Sequence, residues 1–139
     1  TRAVIKIIEK VDYKKKPIEF TLYHHWDGYP EYLGKFLINE LSFLGKADYN
    51  ATEAHWVHLD SACGVANFLI KHPQDTGFEL TQWFHVDAEY LYEIDVVMRT
   101  IKCIPVHCRD WDAKTPKYIK GKEIDLEQFR EKTIAEKSL

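Results

Sequence analysis

The chain has 139 residues, 45% of them hydrophobic, 29% charged and 14% aromatic. This is the composition of one globular domain, long enough to bury roughly two thirds of the surface its unfolded form exposes, and it excludes an intrinsically disordered chain. A formal net charge of -3 and a pI near 6.1 argue against a protein that coats nucleic acid, which needs a strong positive excess.

No apolar run is long enough to span a bilayer. The opening Thr1-Arg2-Ala3-Val4 alternates like a strand and lacks the regions of a signal peptide. A soluble cytoplasmic protein with no membrane partner is expected. The three cysteines, Cys63, Cys103 and Cys108, are odd in number and lack a C-x-x-C spacing. They read as reduced thiols without a structural zinc.

In chain order, Ala3 to Glu9 reads as a β-branched strand and Ile18 to Trp26 as its hairpin partner. The even positions Ile18, Phe20, Leu22, His24 and Trp26 share the face expected to be buried. Asp27-Gly28 turns the chain, Pro30 suits the first turn of a helix, and apolar residues at helical spacing carry that helix to about Leu44. An irregular polar stretch follows from Lys46 to Asp60. Asp60 or Ser61 then caps a helix running through Lys71, in which Cys63 reads as a packing residue among small neighbours. Strands are expected over Phe78 to Phe84, Tyr90 to Val97 and Arg99 to Val106, and their short connections imply antiparallel neighbours. Beyond Asp112 the composition shifts to lysine and glutamate, with a short strand near Tyr118-Ile119 and a helix capped by Asp125.

Strands and helices grouped in runs point to an α+β fold. We expect an antiparallel sheet of about five strands with two helices on one face and a C-terminal helix. Residues 1–112 form one α+β domain and residues 113–139 a charged extension.

The run His24-His25-Trp26-Asp27-Gly28-Tyr29-Pro30 resembles the strand, His-x-Asp-Gly-Tyr-Pro and helix sequence of a group of small phage, prophage and bacterial proteins. Ala62 to Ile70 is similar to that group's small-residue helix and Glu89 to Ile94 to its Tyr-rich strand. The resemblance covers about Ile5 to Val97. It implies a setting of mobile elements in conflict with their hosts and supplies no catalytic residues.

Several residues are candidates for a site. At the junction of strand and helix, His25, Asp27, Gly28 and Tyr29 could receive an anion such as a phosphate, although each also has a sufficient local role in the turn. Aromatics such as Trp83 exceed what a core of this size absorbs, so some line a pocket or an interface. No metal site is expected; if one exists, His55, His58 and Asp60 are its candidates, with histidines at i, i+3 and no specific signature. His85-x-Asp87 reads as polar turn chemistry. Lys114, Lys117, Lys120 and Lys122 beside Tyr118 form a basic strip, read first as a solvated face.

No coherent catalytic constellation emerges. The leading expectation is therefore a non-enzymatic, homo-oligomeric binding protein that modulates a host system by holding a host protein or a small anionic, nucleotide-like signal, with no cofactor. A small metal-dependent hydrolase is the alternative. A nucleic-acid-binding regulator using the lysine strip is third, since nucleic acid is not the partner that the charge favours.

Overall fold

The computed structural model describes residues 1–12, 15–41, 59–73, 75 and 77–131. Six strands are β1 (Ala3–Glu9), β2 (Ile18–His24), β3 (Phe78–Leu80), β4 (Tyr90–Asp95), β5 (Thr100–His107) and β6 (Ile119–Lys120). They form one sheet in the order β3-β2-β1-β4-β5-β6. The fold is α+β, as expected, but the sheet is mixed and has six strands rather than five. β1 and β4 run parallel from Ala3↔Tyr90 to Ile8↔Asp95, and every other neighbouring pair is antiparallel.

The inference from short connections fails between β3 and β4. Residues 81–89 do not close a hairpin. They leave the sheet edge at β3, pass over the face of β2 and β1 and enter β4 at the centre, a crossover made without a helix. The strand expected over Phe78 to Phe84 accordingly stops at Leu80, where Thr81 N–H donates to the Thr21 carbonyl and the chain turns across the sheet. β2 likewise ends at His24 and leaves Trp26, expected on the buried face, 51% exposed.

A π-helical turn, Pro30–Gly34, leads directly into α1 (Lys35–Glu40), with Pro30 at the start as its missing N–H allows. α1 ends at Glu40, and residues 42–44, over which a helix is expected to run on to Leu44, lie outside the described residues. α2 (Ala62–Ile70) starts where expected. Ser61 is the cap, its hydroxyl accepting from Gly64 N–H, and Glu9 at the end of β1 accepts from Ala62 N–H at 2.8 Å. The carboxylate thereby sits at the positive end of the helix.

Both helices cover the same sheet face. Leu33, Leu37, Ile38, Val65 and Leu69 bury against Ile5, Ile7, Leu22, Tyr92 and Ile94. Burial of this continuous apolar layer is the main term that holds helices to sheet. Tyr92 OH, inside that layer, donates to the Gly28 carbonyl at 2.8 Å.

The described residues beyond Asp112, 113–131, are packed onto this body. β6 pairs with β5, Ile124 bridges to Cys103, and Leu126 is buried against Gly34, where any Cβ would come within 2.6 Å of its methyl group. The expected C-terminal helix is, over the described residues, a single 3-10 turn at Leu126–Phe129. Asp125 caps it by accepting from Glu127 N–H, and Gln128 donates back to the Asp125 carbonyl. The three cysteines are free. Cys63, however, is exposed on α2 rather than packed, while burial pushes the Cys103 thiol up to about 11. Among the described residues no helix is long and apolar enough to cross a membrane.

Candidate functional site

The helices leave the other sheet face open, and the crossover builds a site on it. Alternation along each strand turns Val4 and Lys6 of β1, Glu19, Thr21 and Tyr23 of β2, and Leu91 and Glu93 of β4 toward this face. The register places Val4 between Tyr23 and Leu91, and Lys6 between Thr21 and Glu93. Over this floor stand two walls. One is the crossover, with Gln82, Trp83 and Phe84, and the other is the segment leading into β6, with Pro116, Lys117, Tyr118 and Lys120. They enclose a groove of about 510 Å³, within the range of sites that hold a small molecule.

The walls meet at one end. Phe84 stacks on Tyr118 with ring centroids 4.4 Å apart, and Tyr118 OH donates to the His85 carbonyl at 2.6 Å. Burial pushes the Tyr118 phenol up to about 12, so it stays a donor at neutral pH. Behind the crossover wall, His85 lies flat on Tyr23 at 3.9 Å, and its Nε2 is 2.8 Å from Thr81 Oγ1, which also accepts from Trp83 N–H. Tyr23 OH and Arg2 Nη1 both donate to Asp87 Oδ2, at 2.8 and 2.7 Å.

Burial, and then the bond to Asp87, push the Tyr23 phenol up to about 12. Burial also works to raise the Asp87 carboxyl, but the hydrogen bonds from Arg2 and Tyr23 and the charge of Arg2 outweigh it and hold the group below its ordinary range. Burial lowers His85, favouring the neutral ring against the opposing pull of Asp87 and Glu79. The cluster therefore holds a fixed anion, a neutral imidazole and two protonated phenols, a set suited to keeping the crossover in place.

Within the groove the ring of Trp83 is largely free, the residue being 71% exposed. Lys117 makes no ion pair among the described residues, while Lys120 lies 3.5 Å from Glu93 and Lys6 only 4.0 Å from Glu19. Three lysines and one carboxylate, Glu19, line the groove, and with Glu93, which faces the same side and pairs with Lys120, the balance is a formal +1 and Lys117 is the lysine left without a partner among the described residues. The local field is positive although the whole chain carries -3. Aromatic faces beside ammonium groups bind a flat ring that carries an anionic tail, by stacking and by charge.

No family model matches the chain, and neither a curated protein nor a solved structure is significantly similar to it.

The structure separates the residues singled out from the sequence. Trp83 lines the groove. His25, on the same open face, is bonded through Nε2 to Glu79 at 2.6 Å and meets the edge of Tyr23. Gly28 is buried, donating to the Thr1 carbonyl and accepting from Tyr92. Tyr29 stands between Tyr32 and Tyr90, with its carbonyl taking the N–H groups of Tyr32, Leu33 and Gly34.

Asp27 borders a second cavity, of about 610 Å³, whose lining includes Glu31, Glu40, Asp75 and Glu131 against Lys35. Carboxylates around this turn make it a poor place for an anion, in contrast with the groove. Of the metal candidates, His55 and His58 lie outside the described residues, and Asp60 is exposed in the turn before α2. The described residues contain no group of three or more metal-ligating side chains.

Sequence reasoning missed Lys6, Glu19, Gln82 and Phe84, because the crossover that brings them together has no periodicity. Lys117 and Lys120 were visible as a strip but read as solvated. Their proximity to Tyr118 was the available signal.

Proposed function

We propose that this protein is a non-enzymatic binding protein that holds a small anionic, nucleotide-like ligand in the open-face groove. The observation that carries the reading is the pairing of a largely exposed Trp83 with Lys6, Lys117 and Lys120 around one cavity of about 510 Å³. A base stacked on Trp83 contributes about 1–3 kcal/mol, and the ammonium groups add charge-assisted contacts to phosphate oxygens. In the phage-linked setting that the sequence resemblance implies, sequestering a nucleotide signal is how such a protein would modulate a host system.

Calorimetric titration with ADP, GDP and UDP tests this. Saturable one-to-one binding is expected, weaker by about tenfold in Trp83→Ala and weaker again in Lys117→Ala, with unchanged melting temperatures. No binding, or binding indifferent to both variants, would overturn it. A ten-nucleotide single strand that binds more tightly than any mononucleotide, with a steep loss in salt, would replace it with the nucleic-acid reading. Trp26, Tyr32 and Trp111 are exposed outside the groove and supply aromatic surface for the self-association expected from the sequence. A strict monomer by native mass measurement at micromolar concentration would remove that part of the proposal.

A further inference from the structure

The groove is not uniformly basic, and its polarity suggests which nucleotide it takes. At the β2 end stand Glu19, Thr21 and Gln82, offering a carboxylate, a hydroxyl and an amide. At the other end stand Lys117 and Lys120, the latter paired with Glu93 at 3.5 Å, and Lys6 lies between. β2 and β6 are four strand positions apart in the sheet, roughly 19 Å at about 4.8 Å each, but Lys120 reaches back across β5 to Glu93 of β4, so its ammonium lies nearer the β2 end than β6 itself does. The floor runs apolar through Val4 and Leu91 between the two ends.

Glu93, toward the lysine end, is already engaged by Lys120 at 3.5 Å, whereas Glu19 is less closely held and repels the ligand's tail, which leaves the β2 end for the base. Glu19 has little else to engage it, since the Lys6 ammonium is at 4.0 Å and the side chain is 41% exposed. Nucleobases differ in what they offer a carboxylate. Guanine alone presents two adjacent donors, N1–H and the N2 amino group, that two carboxylate oxygens can accept together. Adenine presents an acceptor at N1, and hypoxanthine lacks the amino group. An ionised acceptor gains most from such a bidentate match and is left unsatisfied by the alternatives.

Resting on the reading of the groove as a nucleotide site, we infer that Glu19 is its specificity-determining residue and that the preferred ligand is a guanine nucleotide. Trp83 stacks the base, Glu19 accepts from N1–H and N2–H, and Gln82 on the same wall is placed to meet the remaining polar edge. Lys117 takes the phosphates, and Lys120 joins it only by sharing its ammonium with Glu93.

The experiment is calorimetric titration of the full chain with GDP, IDP and ADP, repeated for Glu19→Gln and Lys117→Ala, with melting temperatures measured on each. GDP is expected to bind about tenfold or more tightly than IDP or ADP. Glu19→Gln is expected to erase most of that margin while ADP affinity holds or improves, because a repulsive charge is gone. Lys117→Ala is expected to weaken all three equally. Binding of the three diphosphates with equal affinity, or a GDP preference that survives in Glu19→Gln, would overturn this inference while leaving the nucleotide site standing. If none of the three binds, the site reading itself fails, and this inference with it.

Discussion

Asp27 and Gly28 share the strand-to-helix turn, but each is there for a different physical reason. Glycine is the residue that adopts a left-handed backbone most readily, yet the positive φ of this turn, 52°, belongs to Asp27. What Gly28 supplies is space, since a Cβ there would sit 2.9 Å from the Cβ of Ala3. Ala3 is fully buried and flanked by strands on both sides, so it has nowhere to retreat. Gly28→Ala is therefore expected to cost about 1–3 kcal/mol through overpacking, read from urea denaturation midpoints. At the neighbouring position the order reverses. Asp27→Gly should stay within about 1 kcal/mol of the parent, whereas Asp27→Ala, which keeps a Cβ and loses a side chain suited to this region, should be less stable than Asp27→Gly by about 1 kcal/mol. The Asp-Gly pair made the turn itself plain in the sequence. That Asp27 carries the unusual torsion while Gly28 makes room for Ala3 is recorded by no local pattern.

The elements divide the same way. β1, α2 and its Ser61 cap were legible because alternation, helical spacing and capping chemistry act within a few residues. The crossover was not, because residues 81–89 are held by partners distant in sequence: Thr21, Tyr23, Arg2 and Tyr118. With this segment went most of the candidate site, since Gln82, Trp83 and Phe84 acquire their neighbours only once it lies across the sheet. Trp83 alone could be singled out, as an aromatic in excess of the core. The contact between the two walls gives a direct check. Tyr118→Phe keeps the stack on Phe84 and deletes the bond to the His85 carbonyl. The expected outcome is a loss of about 1 kcal/mol and faster hydrogen exchange confined to residues 82–88 and the chain around β6, with exchange in β1 and β4 unaltered.

For the molecule as a whole, the cluster on the open face sets an acid limit to stability. Burial keeps the folded His85 below its ordinary value of 6.5, so the unfolded chain takes up that proton first. The stabilisation is complete above 6.5 and is lost as pH falls through the lowered folded value. Asp87 is also held below its ordinary 3.8. Its contribution is complete above that value and disappears as pH falls through the still lower folded one. The melting temperature should thus decline in two stages on acidification. His85→Phe should flatten the first stage and Asp87→Asn the second, and a profile unchanged by both variants would remove this cluster as the cause. The parallel pairing of β1 with β4 has a consequence for how the chain reaches this state. β1 and β2 can zip together as soon as both have been synthesised, but the other flank of β1 has no partner until Tyr90 to Asp95 arrive. The Ile5 and Ile7 strand therefore waits with an open hydrogen-bonding edge until β4 has been synthesised, the interval in which pairing with a neighbouring nascent chain competes with folding.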